Sequence, residues 1–317
     1  MLNVRGPHSA SPPNLTELAI DEIAVKLLDH LVDARAGTRL RDDLAHLGNA
    51  LSPHELSALY QFLFATTTED GCTQIAGIAP MWLRLLNTPG ATFSRETLFD
   101  GSRLYRSAVH GPVRPALVCF TSRQNGMFMP NCRFLELLGN FPIDIVINST
   151  DSGTFGMWNL QGCGSFAGSL ALLKAALAER GIVPRAYAGA SAGGGPAVYA
   201  ATLDAGTSAV LFGLRFFVPG RNIPLSMAGP AFEPICECWS GPLPRVYNIF
   251  GALQGRDAEN NARLQALVAK AKSYPIPDDD THSPMVTLTA RRKLRGVFDL
   301  LVKVASGATV DFDMVVS

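Results

Sequence analysis

A single serine stands between two glycines at Gly189-Ala190-Ser191-Ala192-Gly193, inside the stretch AYAGASAGGG (187–196). A serine hydroxyl becomes a nucleophile only where a base removes its proton and donors stabilise the oxyanion that follows. With 29 glycines in 317 residues the five-residue pattern carries little weight alone, so its surroundings decide. The six cysteines, Cys72, Cys119, Cys132, Cys163, Cys236 and Cys238, form no C-x-x-C pair. Cys119 lies in an apolar run and reads as a buried thiol. Cys236 and Cys238 in PICECW have no His or Cys neighbours to complete a ligand set, so no metal is expected, and no cofactor motif is present.

The elements around Ser191 give the pattern its meaning. RAYAGAS (185–191) reads as a strand running directly into the serine, and a helix is expected over 194–204. A serine at that junction occupies a very tight turn, where a Cβ at Gly189 or Gly193 would collide with the adjoining strand and helix. The turn is expected to push Oγ out of the sheet and to set the amide of Ala192 at a helix N-terminus, where it donates to an oxyanion.

Further short apolar runs at 115–122, 143–150, 208–216 and 245–253 are strand candidates, with KSYPIP as a possible last strand. They alternate with helical stretches: CRFLELLGN, SFAGSLALLKAALAERG, AENNARLQALVAKA and one C-terminal helix, VTLTARRKLRGVFDLLVKVAS. Runs apolar on both faces, alternating with helices, predict an α/β fold with a mostly parallel sheet flanked by helices. TFSRETLFDGSRLYRSAV adds one or two strands with a turn at Asp100-Gly101.

The first ninety residues read instead as a small helical N-terminal region. Apolar residues from Leu18 to Leu31 keep helical spacing, with Gly37 as the expected stop. A second helix opens with Ser52 as N-cap, Pro53 in the first turn and Glu55 at capping-box distance, and a short one is expected around APMWLRLLN. The division is therefore 1–90 against 91–317. Within the latter, the Pro- and Gly-rich excursion 217–244 is a candidate lid.

Lys+Arg and Asp+Glu balance at 27 each with no long basic block, which argues against a nucleic-acid surface. There is no secretory signal at the N-terminus and no run of spanning length, so a cytoplasmic protein with reduced thiols is expected. The oligomeric state is not legible.

From about residue 90 onward the chain resembles the α/β-hydrolase superfamily, on its strand, G-x-S-x-G turn and helix. The resemblance implies a Ser-Asp/Glu-His order along the chain. His282 in DDDTHSPM, the one histidine after Ser191, is then the general base. Asp257, just after strand 245–253, is the acid that orients it. Asp257 also reads as a helix N-cap, leaving Glu259 and Glu233 as alternative acids, while Asp278, Asp279 and Asp280 read as a solvated turn near His282.

The superfamily's usual His-Gly after the strand at 115–120 is absent from FTSRQNGMF, so the amide of Ser122 or Arg123 is the expected second oxyanion donor. Arg123 and Trp158 are candidate substrate contacts, with Phe155, Met157, Met127 and Phe128 as a candidate acyl pocket. The implied function is serine-dependent hydrolysis of a small-molecule ester or thioester through an acyl-enzyme. An acyltransferase or thioesterase for a carrier-bound acyl group is the alternative, and a non-catalytic binding protein of the same fold is a third reading.

Overall fold

The computed structural model describes residues 37–67, 93–109, 114–122, 125–149, 165–215, 243–268 and 270–317, with isolated positions 23 and 27. The chain divides into two compact units, residues 1–51 with 55–88, and residues 52–54 with 89–317.

The first unit is helical where it is described. Helix α1 (Gly37–Ala50) begins at the glycine expected to stop a helix, because glycine is tolerated at a helix start as well as past its end. Leu44, Leu47, Ala50 and Leu51 are buried at helical spacing. Helix α2 (Pro53–Thr66) opens at Pro53 as expected and buries Leu56, Leu59, Tyr60 and Leu63, the i, i+3, i+4, i+7 stripe. The expected helix at APMWLRLLN lies outside the described residues.

The second unit is built on one eight-stranded sheet. Strands β1 (Phe93–Phe99) and β2 (Ser102–Ser107) form the antiparallel hairpin expected at Asp100-Gly101, with Gly101 at φ +74°. There follow β3 (Ala116–Phe120), helix α3 (Asn131–Leu138), β4 (Asp144–Asn148), α4 (Phe166–Ala178) and β5 (Pro184–Ala190). A 3₁₀ turn at Ser191–Gly193 leads into α5 (Gly194–Leu203), and then come β6 (Ser208–Phe212), β7 (Arg245–Gly251), α6 (Gly255–Leu267) and β8 (Ala271–Ile276). Helices α7 (Pro284–Ala290), α8 (Leu294–Ala305) and α9 (Asp313–Val316) close the chain.

The strand order is β1-β2-β4-β3-β5-β6-β7-β8, with β2 antiparallel to β4 and every pairing from β4 to β8 parallel. The chain passes from β3 to β4 on one side and returns to lay β5 on the other. Strand order therefore reverses at β3, and the C-terminal ends of β3 and β5 flank the switch point where such folds place ligands.

Both faces of the sheet are covered, which is why its central strands read as unbroken apolar runs. Leu117 and Cys119 of β3 join a core with Phe134 of α3 and Val297, Phe298 and Leu301 of α8. Ala116, Val118 and Phe120 face the other way, onto Leu170, Leu173 and Leu177 of α4 and Val198 and Ala201 of α5. Among the described residues no helix is long and apolar enough to cross a membrane.

The single C-terminal helix expected over 286–306 is two helices. The break falls at Arg292, whose φ of +56° is left-handed. Lys293 N–H donates to Leu288 O at 2.9 Å and Arg292 N–H to Thr289 O at 3.0 Å, the bond pair of a Schellman cap. The same pair ends α4 around Gly181 and α8 around Gly307. Of these three caps, the one at Arg292 alone places a side chain in the left-handed region. Arg292→Gly is therefore expected to stabilise the protein by about 0.5–1 kcal/mol, a melting-temperature rise of about 1–4 °C in a thermal scan.

Candidate active site

The C-terminal ends of β5, β6, β7 and β8 gather the residues of interest. Ser191 follows β5 in the left-handed conformation, φ +51°, which costs a non-glycine residue about 1–3 kcal/mol and persists only where its surroundings enforce it. The glycines show how they do. A Cβ on Gly189 would lie 2.3 Å from Gly193 O, and a Cβ on Gly193 would lie 2.1 Å from Phe120 O at the end of β3. The helix start is thus pressed against its own strand and against the next one. Ala192, second residue of the 3₁₀ turn, has no intrahelical acceptor for its N–H at this helix start.

The segment after β6 runs along the turn. Arg215 N–H donates to Ser191 O at 3.1 Å. Gly213 has φ +54°, and a Cβ there would lie 2.6 Å from His282 O. Phe128, itself at φ +59°, sets its ring edge-on to the His282 imidazole, 5.2 Å between centroids.

His282 Nε2 lies 2.7 Å from Ser191 Oγ, and His282 Nδ1 lies 2.8 and 3.0 Å from the two oxygens of Asp257. A carboxylate only accepts, so Nδ1 carries the hydrogen, and in the neutral ring Nε2 is left to accept from the serine hydroxyl. The chain runs from a fully buried carboxylate, through an imidazole 19% exposed, to a serine 8% exposed. Water competes little with these bonds, and their geometry is held in a medium of low polarity.

Asp257 sits in the first turn of α6, where the helix dipole favours a negative charge. It is not the cap. Gln254 Oε1 accepts from Arg256 N–H at 2.9 Å and from Asp257 N–H at 3.4 Å, which leaves the Asp257 carboxylate for His282. Helix α6 is tied to the sheet one turn further on. Asn261 Oδ1 accepts from Asn248 Nδ2 of β7 at 3.0 Å and from Ser273 Oγ of β8 at 2.7 Å. Glu259, an alternative acid, is on the exposed side of α6, and Glu233 lies outside the described residues.

The expected solvated turn at Asp278 to Asp280 needs correction. Asp278 and Asp280 are exposed, but Asp279 is buried. Its Oδ1 accepts from Thr281 N–H at 2.9 Å and Thr281 Oγ1 at 2.8 Å, closing an Asx turn one residue before His282. Leu253 N–H donates to Asp279 O at 2.9 Å, joining this loop to the one that carries Asp257. Gly251 makes the approach possible, since a Cβ there would lie 2.7 Å from both Asp279 O and Thr281 O.

The amide of Ser122 is also placed differently from the expectation. It donates to Gly126 O at 2.9 Å, while Ser122 O accepts from Asn125 N–H, so a local turn has already claimed that donor. Arg123, Trp158, Phe155, Met157, Cys236 and Cys238 lie outside the described residues. Met127 is core, and Phe128 packs on the histidine. Cys119 and Cys132 are buried free thiols. Burial pushes both upward in pKa, Cys132 to about 12, so neither supplies a thiolate near neutral pH.

No protein-family model matches the chain, and no curated protein matches it in sequence. Solved structures match it in shape. A 2,6-dihydroxy-pseudo-oxynicotine hydrolase superposes with a TM-score of 0.52 at 15% identity, over 95% of this chain and 92% of its own. A truncated carbohydrate esterase from gut microbiota does so with a TM-score of 0.50 at 12% identity, over 69% of this chain and 99% of its own. With the strand order and the turn at Ser191, these likenesses define the class: the chain has the α/β-hydrolase fold.

Proposed function

We propose that the protein is a serine hydrolase that cleaves a small-molecule ester or thioester through an acyl-enzyme, with residues 91–317 as its catalytic domain. The hydrogen-bonded chain Ser191–His282–Asp257 carries this reading, because it joins a strained, glycine-flanked serine to a base and a buried acid. Hydrolase and esterase structures of the same fold agree with it.

Ser191 Oγ attacks the acyl carbonyl while His282 Nε2 takes its proton. Asp257 stabilises the imidazolium and holds Nδ1–H in place. The tetrahedral oxyanion is met by Ala192 N–H at the helix start. A second donor is assigned to the amide of Arg123, now that the Ser122 amide is seen to serve a turn. Collapse expels the alcohol or thiol, which leaves with the proton from His282. A water molecule deprotonated by the same nitrogen then releases the acid and restores Ser191.

A fluorophosphonate probe should label Ser191 alone, located by peptide mapping. A panel of p-nitrophenyl esters and acyl thioesters should then show turnover that labelling abolishes. Labelling elsewhere, or turnover that survives it, would sink the serine mechanism. Product analysis with an added alcohol or amine identifies the acceptor: free acid means water, and a transferred acyl group means an acyltransferase.

A further inference from the structure

The three residues after β6 each meet a different part of the candidate site. Gly213 closes on the carbonyl of His282, the Leu214 side chain fills the space beside Gly194 at the start of α5, and Arg215 N–H bonds the carbonyl of Ser191. Backbone contacts therefore fix the Cα of Arg215 beside the nucleophile. Its long side chain starts from the same end of the sheet as Ser191 and His282. That side chain is not simply in solvent. Arg215 is half-buried, and its Nε is buried with no hydrogen-bond partner among the described residues. Among the described residues no carboxylate forms an ion pair with its guanidinium.

A cation partly withdrawn from water and given no counter-charge costs free energy that a fold rarely leaves unrecovered. Asp257, the acidic side chain bonded to His282, is already committed through both oxygens. No described residue supplies the counter-charge, and the planar guanidinium favours a carboxylate, which it can bind in two-point fashion.

We propose that Arg215 binds a carboxylate of the substrate, so that the substrate class is an ester or thioester whose acyl part carries a second, free carboxylate. This rests on the hydrolase reading for the word substrate, but binding can be measured without turnover. It also adds to the candidate substrate contacts Arg123 and Trp158 a residue whose N–H bonds the carbonyl of Ser191.

Two inert amides separate the possibilities: glutaranilic acid, which ends in a carboxylate, and pentananilide, which ends in a methyl group. Calorimetric titration of the full-length Ser191→Ala protein should show the acid binding tighter by on the order of 10- to 100-fold, with the difference shrinking as salt rises. Adding Arg215→Met should erase the difference, and Arg215→Lys should keep part of it. Equal affinity for the two amides, or a preference that survives Arg215→Met, would overturn the proposal. The salt series needs no Arg215 variant, so a misfolded variant does not leave the question open.

Kinetics of the Ser191 protein on mono-p-nitrophenyl glutarate and p-nitrophenyl pentanoate complete the test. Turnover of both without preference for the glutarate leaves the hydrolase reading standing and overturns the role of Arg215. Equal losses on both esters in Arg215→Met point to general oxyanion stabilisation and overturn it as well. Preferential binding of the acid without turnover or probe labelling keeps the carboxylate site and removes the hydrolase.

Discussion

Ser191→Ala is expected to lower kcat by about 10⁶-fold and to leave the melting temperature within about 2 °C of the parent protein. The two halves of this expectation have separate physical origins. Chemistry is lost because Oγ is the atom that His282 Nε2 addresses at 2.7 Å, and a methyl group offers no electron pair to the carbonyl. Stability is kept because the backbone at residue 191 is held left-handed by Gly189 and Gly193, and alanine bears the same steric penalty there as serine.

Ser191→Gly extends the test. It should be as inactive as the alanine variant yet melt higher than it by roughly 2–4 °C, because glycine adopts φ +51° without strain. Dead variants in that order of stability would mean that strain in the turn is maintained for the position of Oγ. Activity of Ser191→Ala within tenfold of the parent would end the serine reading. A glycine variant no more stable than alanine would mean that the turn stores no strain at residue 191.

What could be read from the sequence depended on whether a residue's role is set by its neighbours along the chain or by partners far away. The strands β3, β4 and β6 were legible because a sheet covered on both faces favours apolar residues on both sides, as in ALVCF, the IVI of DIVIN and the AVLF of SAVLF. The turn at Ser191 was legible for a similar reason, since two glycines, a strand and a helix are all local.

The break between α7 and α8 was not legible, because Arg292 takes a conformation that sequence reading assigns to glycine or asparagine. The cap of α6 was hidden by its chemistry: glutamine is an uncommon N-cap, which left Asp257 to be weighed for two roles. Asp279 was hidden among three identical neighbours. Nothing in DDD says which carboxylate turns inward, and the answer depends on Gly251 and Leu253, far away in sequence. Ser122 shows the same limit for backbone groups, since its N–H is taken by Gly126 in a turn whose closure the sequence does not announce.

Asp257→Asn is expected to fold normally and to lose about 10⁴-fold in kcat. The loss follows from the direction of one hydrogen bond. The carboxylate accepts from Nδ1–H at 2.8 Å and so keeps Nε2 bare, the state in which it can receive the Ser191 proton. An asparagine amide can present its NH₂ to Nδ1 instead. The ring proton then sits on Nε2, facing the hydroxyl it should accept from. Folding is spared because Gln254, not Asp257, caps α6, and Asn261 still ties the helix to β7 and β8. If Asp257 only favoured the helix start, asparagine would be a good replacement and kcat would hardly change. Glu259→Gln, on the exposed face of α6, is the matched control and should retain nearly full activity. Glu233→Gln should change KM at most. Steady-state kinetics on the three variants, with thermal melts, decide among them. A nearly unimpaired Asp257→Asn beside an inactive Glu233→Gln would transfer the acid to Glu233, and the bond between Asp257 and His282 would then be one that turnover does not use.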